Sequence, residues 1–209
     1  MESEAFNGGR PGTVLRRALR FTVSTPGRDR VHYVTEDDVR VLLGRLPAEV
    51  WNRLHSVHFS DQGQGGRRLG YATRKHRHCG IALHREIALC ALPPRVSLEG
   101  FLARGQTPGT FGARWGAPWS TLAIRRFLLY DVFLHELGHL QVVDPGKTTI
   151  RLEETRAQAF AIAWCKRLWS EPFDHPDPVH NPPGEAELSN VSIMDRVTAQ
   201  PMGRALPRR

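Results

Sequence analysis

The 209-residue chain is short of several things, and each shortage excludes a class of protein. No run approaches the roughly 18 consecutive apolar residues that a membrane-spanning helix needs, so no membrane partner is expected. Residues 1–12 are polar and contain glycine, without the apolar stretch of a secretory signal, so a cytoplasmic location is expected. Cysteine is scarce: Cys79, Cys90 and Cys165 are too few and too scattered for a disulfide framework and fit buried thiols in a reducing compartment. Lysine is scarcer still for a basic chain, supplying only three of the 29 basic residues. No segment repeats.

What is present begins with charge and apolar content. Forty per cent of the residues are apolar, five of them Trp and nine Phe, enough to build a core and to exclude wholesale disorder. The net charge is +8 and the isoelectric point is near 10.2, almost all of it from Arg. Such a surface attracts anionic partners, nucleic acid among them, although the positives are scattered rather than striped. They are densest in residues 10–30 and 67–78; the second segment holds Arg67, Arg68, Arg74, Lys75 and Arg77 and no acid.

Three regions are expected along the chain. Residues 1–30, with six Arg, read as a basic N-terminal arm that includes a short strand at 19–24. Residues 31–170 read as one domain. In it Thr35 caps a helix whose first turn is acidic (Glu36, Asp37, Asp38) and whose stripe is Val39, Leu42 and Leu43. Pro47 opens a second short helix, and residues 55–61, 69–73 and 79–83 alternate as strands. Residues 104–120, rich in Gly and Pro, form a long irregular loop. A helix from about residue 120 to residue 143 is apolar nearly all round and should be buried; Asp144-Pro145-Gly146 breaks it. A second helix, residues 150–169, follows after a short connection, which makes the two antiparallel neighbours. Residues 171–209, with Pro172, Pro176, Pro178, Pro182 and Pro183, read as an extended C-terminal segment.

The buried helix contains His135-Glu136-Leu137-Gly138-His139. Residues four apart on a helix share a face, so the two imidazoles can chelate one zinc ion while Glu136 reaches water beside it. Chance supplies this pattern roughly 0.03 times in a chain of this composition. Two His and a Glu inside so apolar a helix would cost several kcal/mol without partners. A catalytic zinc needs a third protein ligand and leaves a fourth position for water. The next helix offers Glu154 and, about 100° round, its rival Glu153. Asp131, four residues before His135, either orients that imidazole or pairs elsewhere.

The stretch Glu154-Thr155-Arg156-Ala157-Gln158-Ala159-Phe160-Ala161, placed after HExxH, resembles the glutamate-zincin peptidases, both the soluble ImmA/IrrE type and the catalytic core of the Ste24/HtpX type. Those families follow HExxH with a helix of the form E-x-x-A-(D/N)-x-F-A. The metzincin continuation is absent, because Val142 and Pro145 stand at its Gly and His positions. The resemblance covers residues 120–165 and implies an α+β, zincin-like fold. In it a small mixed or antiparallel sheet packs on the buried HExxH helix and the antiparallel helix after it. It implies Zn2+ held by His135, His139 and Glu154, Glu136 as the catalytic base, and a protein or peptide substrate, one specific cytoplasmic protein rather than proteins at large. It also implies an edge strand that binds extended peptide, for which Gly80, Ile81, Ala82 and Leu83 are the candidates. Gln158 departs from the pattern: those families carry Asp or Asn there, bonded to a zinc-bound His, so Gln158 is expected behind the metal with Asp131.

Weaker candidates are a second metal cluster at His76, His78 and Cys79, a Met-turn-like Met194, and Tyr33, Tyr71, His175 or His180 as stabiliser of an oxyanion. The rival reading is a nucleic-acid-associated binding or regulatory protein with a structural or vestigial zinc site, its contacts made by the two Arg-rich segments.

Overall fold

The computed structural model describes residues 18–61, 69–76, 83–94, 111, 119–141 and 149–184. Its elements in chain order are β1 (Arg20–Val23), α1 (Glu36–Gly44), α2 (Ala48–Trp51), β2 (Ser56–Ser60), β3 (Gly70–His76) and β4 (Leu83–Cys90). A continuous helical rod follows, made of α3 (Thr121–Phe127), a π turn (Leu128–Phe133) and α4 (Leu134–Gln141). After it come α5 (Ile150–Ser170) and a 3-10 turn (Pro178–His180). The architecture is α+β.

The four strands form one mixed sheet in the order β1-β2-β4-β3. β1 and β4 both run parallel to β2, with Phe21 opposite Val57 and Phe59 opposite Leu89. β3 returns antiparallel to β4, with Gly70 opposite Leu89. One face supplies Val57, Phe59, Ile87 and Leu89 to the core, and the rod supplies Ile124, Phe127, Leu128, Leu134 and Leu137. The expected buried helix is therefore present: from Ala123 to Leu140, only Arg125 and His139 escape full burial. Its interruption by a π turn was not foreseen; such turns occur mostly as single wider turns inside α-helices.

Two of the expected boundaries move. The strand expected at 19–24 is present at residues 20–23 and is paired into the sheet, so this part of the arm belongs to the domain. The segment after α5 is not simply extended: its 3-10 turn docks on the rod, with Val179 and His180 buried. Three arginines hold it. Arg45 donates to the carbonyls of His180 (2.9 Å) and Leu168, Arg126 donates to that of Pro178 (2.9 Å), and Arg125 meets the Asp177 carboxylate at 2.5 Å. Residues 1–17 and 185–209 lie outside the described residues.

Asp38 is the junction of this half of the molecule. One carboxylate oxygen accepts from the Thr35 backbone N–H at 2.8 Å while the Thr35 hydroxyl accepts from the Asp38 N–H, a complete capping box at the start of α1. The other oxygen takes Arg125 at 2.7 Å and lies 3.4 Å from His180. Burial alone would raise this carboxyl; His180, the Thr35 backbone N–H and Arg125 together outweigh it and hold it at about 2. A carboxyl depressed in the folded state stabilises above its unfolded pKa and loses that contribution as pH falls through the folded one. The depression here corresponds to about 2 kcal/mol at neutral pH, lost between about pH 4 and pH 2. Asp38→Asn should therefore lower the urea midpoint at pH 7, and the gap between variant and parent should close in acid. A gap of unchanged size near pH 2 would show that Asp38 acts through packing alone.

Candidate metal centre

The first link in the site is a contact between helix backbones. A Cβ on Gly138 would come within 2.9 Å of the Ala157 Cα and 3.0 Å of the Ala157 carbonyl oxygen. The missing side chain at residue 138 lets α4 and α5 approach this closely. The cross-helix pairs Asp131–Gln158, His135–Gln158 and His139–Glu154 run in opposite senses along the two helices, as expected of antiparallel neighbours.

This crossing brings three metal-ligating side chains together. His135 Nε2 lies 3.1 Å from His139 Nε2 and 3.2 Å from Glu154 Oε2, and His139 Nε2 lies 3.4 Å from Glu154 Oε1. The three residues can hold a metal ion, and they are the one such group among the described residues. Of the two adjacent acids it is Glu154 that meets both imidazoles. His135 is buried, His139 half-buried and Glu154 exposed, so the group is rooted in the core and opens outward.

The donor set itself tests the fit. Four-coordinate bonds of ~2.05 Å to a tetrahedral ion separate neighbouring ligand atoms by ~3.3 Å. The two imidazole nitrogens stand 3.1 Å apart, close to that value, and each meets a different oxygen of the Glu154 carboxylate, at 3.2 and 3.4 Å. Two imidazole nitrogens and a carboxylate suit zinc and its transition-metal neighbours; calcium and magnesium take oxygen ligands. Without a cation or shared protons, these lone pairs would face one another.

Behind the group, His135 Nδ1 donates to Gln158 Oε1 at 3.1 Å, and Gln158 Nε2 donates to Asp131 Oδ1 at 2.9 Å. The longer Gln158 side chain thus does contact the first imidazole, and Asp131 reaches that ring through it. Burial, with the Asp131 charge nearby, pushes the Cys165 thiol up.

Glu136 is buried on the rod beside the sheet. A Cβ on Gly70, the first residue of β3, would stand 3.3 Å from Glu136 Cγ, 2.9 Å from a Val132 methyl and 3.0 Å from the Ala88 carbonyl. The absence of a side chain at Gly70 makes room for the acid against the strand.

Of the expected peptide-binding strand only Leu83 falls among the described residues, where it pairs with His76 of β3. β4, which starts at Leu83, is an inner strand: β2 pairs with one side of it and β3 with the other. Among the described residues the edge next to the rod is β3. Gly80, Ile81 and Ala82 lie outside the described residues, as do His78, Cys79, Met194, Arg67, Arg68 and Arg77. His76 ends β3.

The oxyanion candidates are engaged elsewhere. Tyr33 donates to the Pro93 carbonyl at 3.2 Å, His180 sits with Asp38 and Tyr130, and the His175 backbone and ring bond to Asn181 and Asp177. Tyr71 follows Gly70 on β3 and so takes the opposite face of the sheet. Sequence reading missed Gly138 and Gly70, although a glycine inside HExxH followed by a small residue in the next helix was a usable signal.

No protein family, curated protein or solved structure matches the chain. Its reading therefore rests on this geometry.

Gly138→Ala should gain up to ~1 kcal/mol of helix propensity and lose more to the clash with the Ala157 backbone, for a net loss of about 1–3 kcal/mol and weaker metal uptake as Glu154 is pushed off the imidazoles. Gly44→Ala, where nothing lies within 4 Å of the new methyl, is the control and should leave stability unchanged or raised. Equal urea midpoints for Gly138→Ala and the parent would disprove the close-approach account.

Proposed function

We propose that the chain is a zinc-dependent peptidase of the glutamate-zincin type, cleaving peptide bonds in a protein substrate. The observation that carries this reading is the convergence of the His135 and His139 imidazoles, 3.1 Å apart, on the two oxygens of the Glu154 carboxylate at 3.2 and 3.4 Å, with Glu136 beside the first histidine on the same helix. His135, His139 and Glu154 would hold the zinc ion, which would supply Lewis acidity to a water molecule and to the scissile carbonyl.

The remaining chemistry belongs to the protein. Glu136 accepts the proton of the attacking water and then gives it to the departing amine nitrogen, so one carboxyl serves as base and as acid. Its burial removes competing solvent. β3, paired on one side to β4, offers backbone N–H and C=O groups to an extended peptide, and Gly70 brings that strand against Glu136. Substrate recognition by main-chain pairing along β3 follows.

Zinc analysis of the purified full chain should give about one equivalent, lost in His139→Ala. Glu136→Gln should retain the metal and the fold, and lower turnover of a quenched-fluorescent peptide library by at least ~100-fold, because an amide cannot take the water's proton. Near-parental turnover in Glu136→Gln would refute the assignment of the base. Stoichiometric zinc with no hydrolysis of any library member by the parent would refute the peptidase reading and leave a metal-binding protein.

A further inference from the structure

The geometry points to Asp131 and Gln158 acting as one polar relay that holds His135 in its metal-ready tautomer, with the direction of every hydrogen bond dictated by the buried carboxylate. The inference rests on His135 being a metal ligand, as proposed above.

The direction follows from donor and acceptor inventory. A carboxylate only accepts, so the Gln158 group facing Asp131 Oδ1 at 2.9 Å is the amide nitrogen. The Gln158 oxygen then faces His135 Nδ1 at 3.1 Å and only accepts, so Nδ1 carries the proton. A neutral imidazole has one N–H. His135 Nε2 is therefore a bare lone pair, aimed at the point it shares with His139 and Glu154. Asp131 is fully buried and belongs to the π turn. That wider turn shifts the register of a straight α-helix, in which residue 131 would stack one turn below His135. Gln158, one methylene longer than Asn, spans the distance that results. The long side chain on α5 and the interrupted turn on the rod are two halves of one device.

A relay defined by direction can be reversed. Gln158→Glu alone sets a second carboxylate against Asp131 and repels it. Asp131→Asn alone leaves two amides that can pair either way, so His135 loses its fixed tautomer. The double variant Asp131→Asn/Gln158→Glu restores every link, with the Asn amide donating to Glu and Glu accepting from His135 Nδ1. The readouts are zinc affinity by chelator competition and the imidazole 15N shifts of His135 in the metal-free protein. Each single variant should weaken zinc binding by about 10- to 100-fold and shift His135 away from the Nδ1–H form. The double variant should recover affinity to within about threefold of the parent, a non-additivity expected only of residues in one network. Losses that add in the double variant, or His135 remaining purely Nδ1–H in Asp131→Asn, would overturn the relay. A parent chain that takes no zinc would defeat the metal assignment, and the 15N shifts would still decide the relay on their own. If Gln158→Glu does not fold, Asp131→Asn and the double variant carry the comparison.

Discussion

Everything in the candidate centre depends on how closely two helices approach at Gly138 and Ala157. The imidazoles come from α4 and the carboxylate from α5, and side chains of fixed length can meet only if the backbones are near enough. A methyl group at residue 138 would stand 2.9 Å from the Ala157 Cα and push the two helices, and with them the imidazoles and the carboxylate, apart. The same approach sets the reach of Gln158 to His135 and of Gln158 to Asp131. One missing side chain thus fixes three candidate ligands and the two residues behind them.

The second constraint is electrostatic. A rod buried along nearly its whole length carries Asp131, His135 and Glu136, groups that are expensive to desolvate singly. The structure answers by connecting them: Asp131 to Gln158, Gln158 to His135, and His135 to the outward-opening group with His139 and Glu154. Glu136 is lodged between the rod and β3, where Gly70 leaves room. The polar path begins in the core and ends at the exposed Glu154. A cation bound there completes a network whose inner end is already satisfied by protein groups.

The sequence made part of this legible. HExxH on an apolar helix, Glu154 on the next and the Thr35 cap all depend on short-range spacing, and helical periodicity converts that directly into geometry. The strand order was not legible, because pairing partners are chosen by long-range packing. Leu83 opens β4 and pairs with His76 of β3, while β2 joins the other side of β4 only from Glu86 to Cys90, a register that no local pattern announces. The π turn was invisible for a related reason: Leu128 to Phe133 has ordinary helical composition, and its extra width shows only in what it does to Asp131. A straight helix put Asp131 directly behind His135, whereas the fold inserts Gln158 between them. The residue that departed from the resembling families is thus the one that bridges the displaced carboxylate.

The docked segment after α5 shows why the rod can tolerate that interruption. A π turn weakens the regular hydrogen-bond ladder of a helix, and such a turn persists where neighbours hold it from outside. Here Tyr130, inside the turn, packs on Trp169 with ring centres 5.4 Å apart and lies 3.4 Å from His180. Arg125 and Arg126, just before the turn, are tied to Asp177 and Pro178, and Arg45 grips both Leu168 and His180. Asp38 anchors Arg125 and His180 from the first helix. The ionic junction at Asp38, through Arg125 and His180, and the group at Glu154, through His135, Gln158 and Asp131, therefore both bear on the same stretch of the rod. The placement of Asp131 behind His135 is in that sense a property of the whole helical layer, and the C-terminal segment is part of the support for the site.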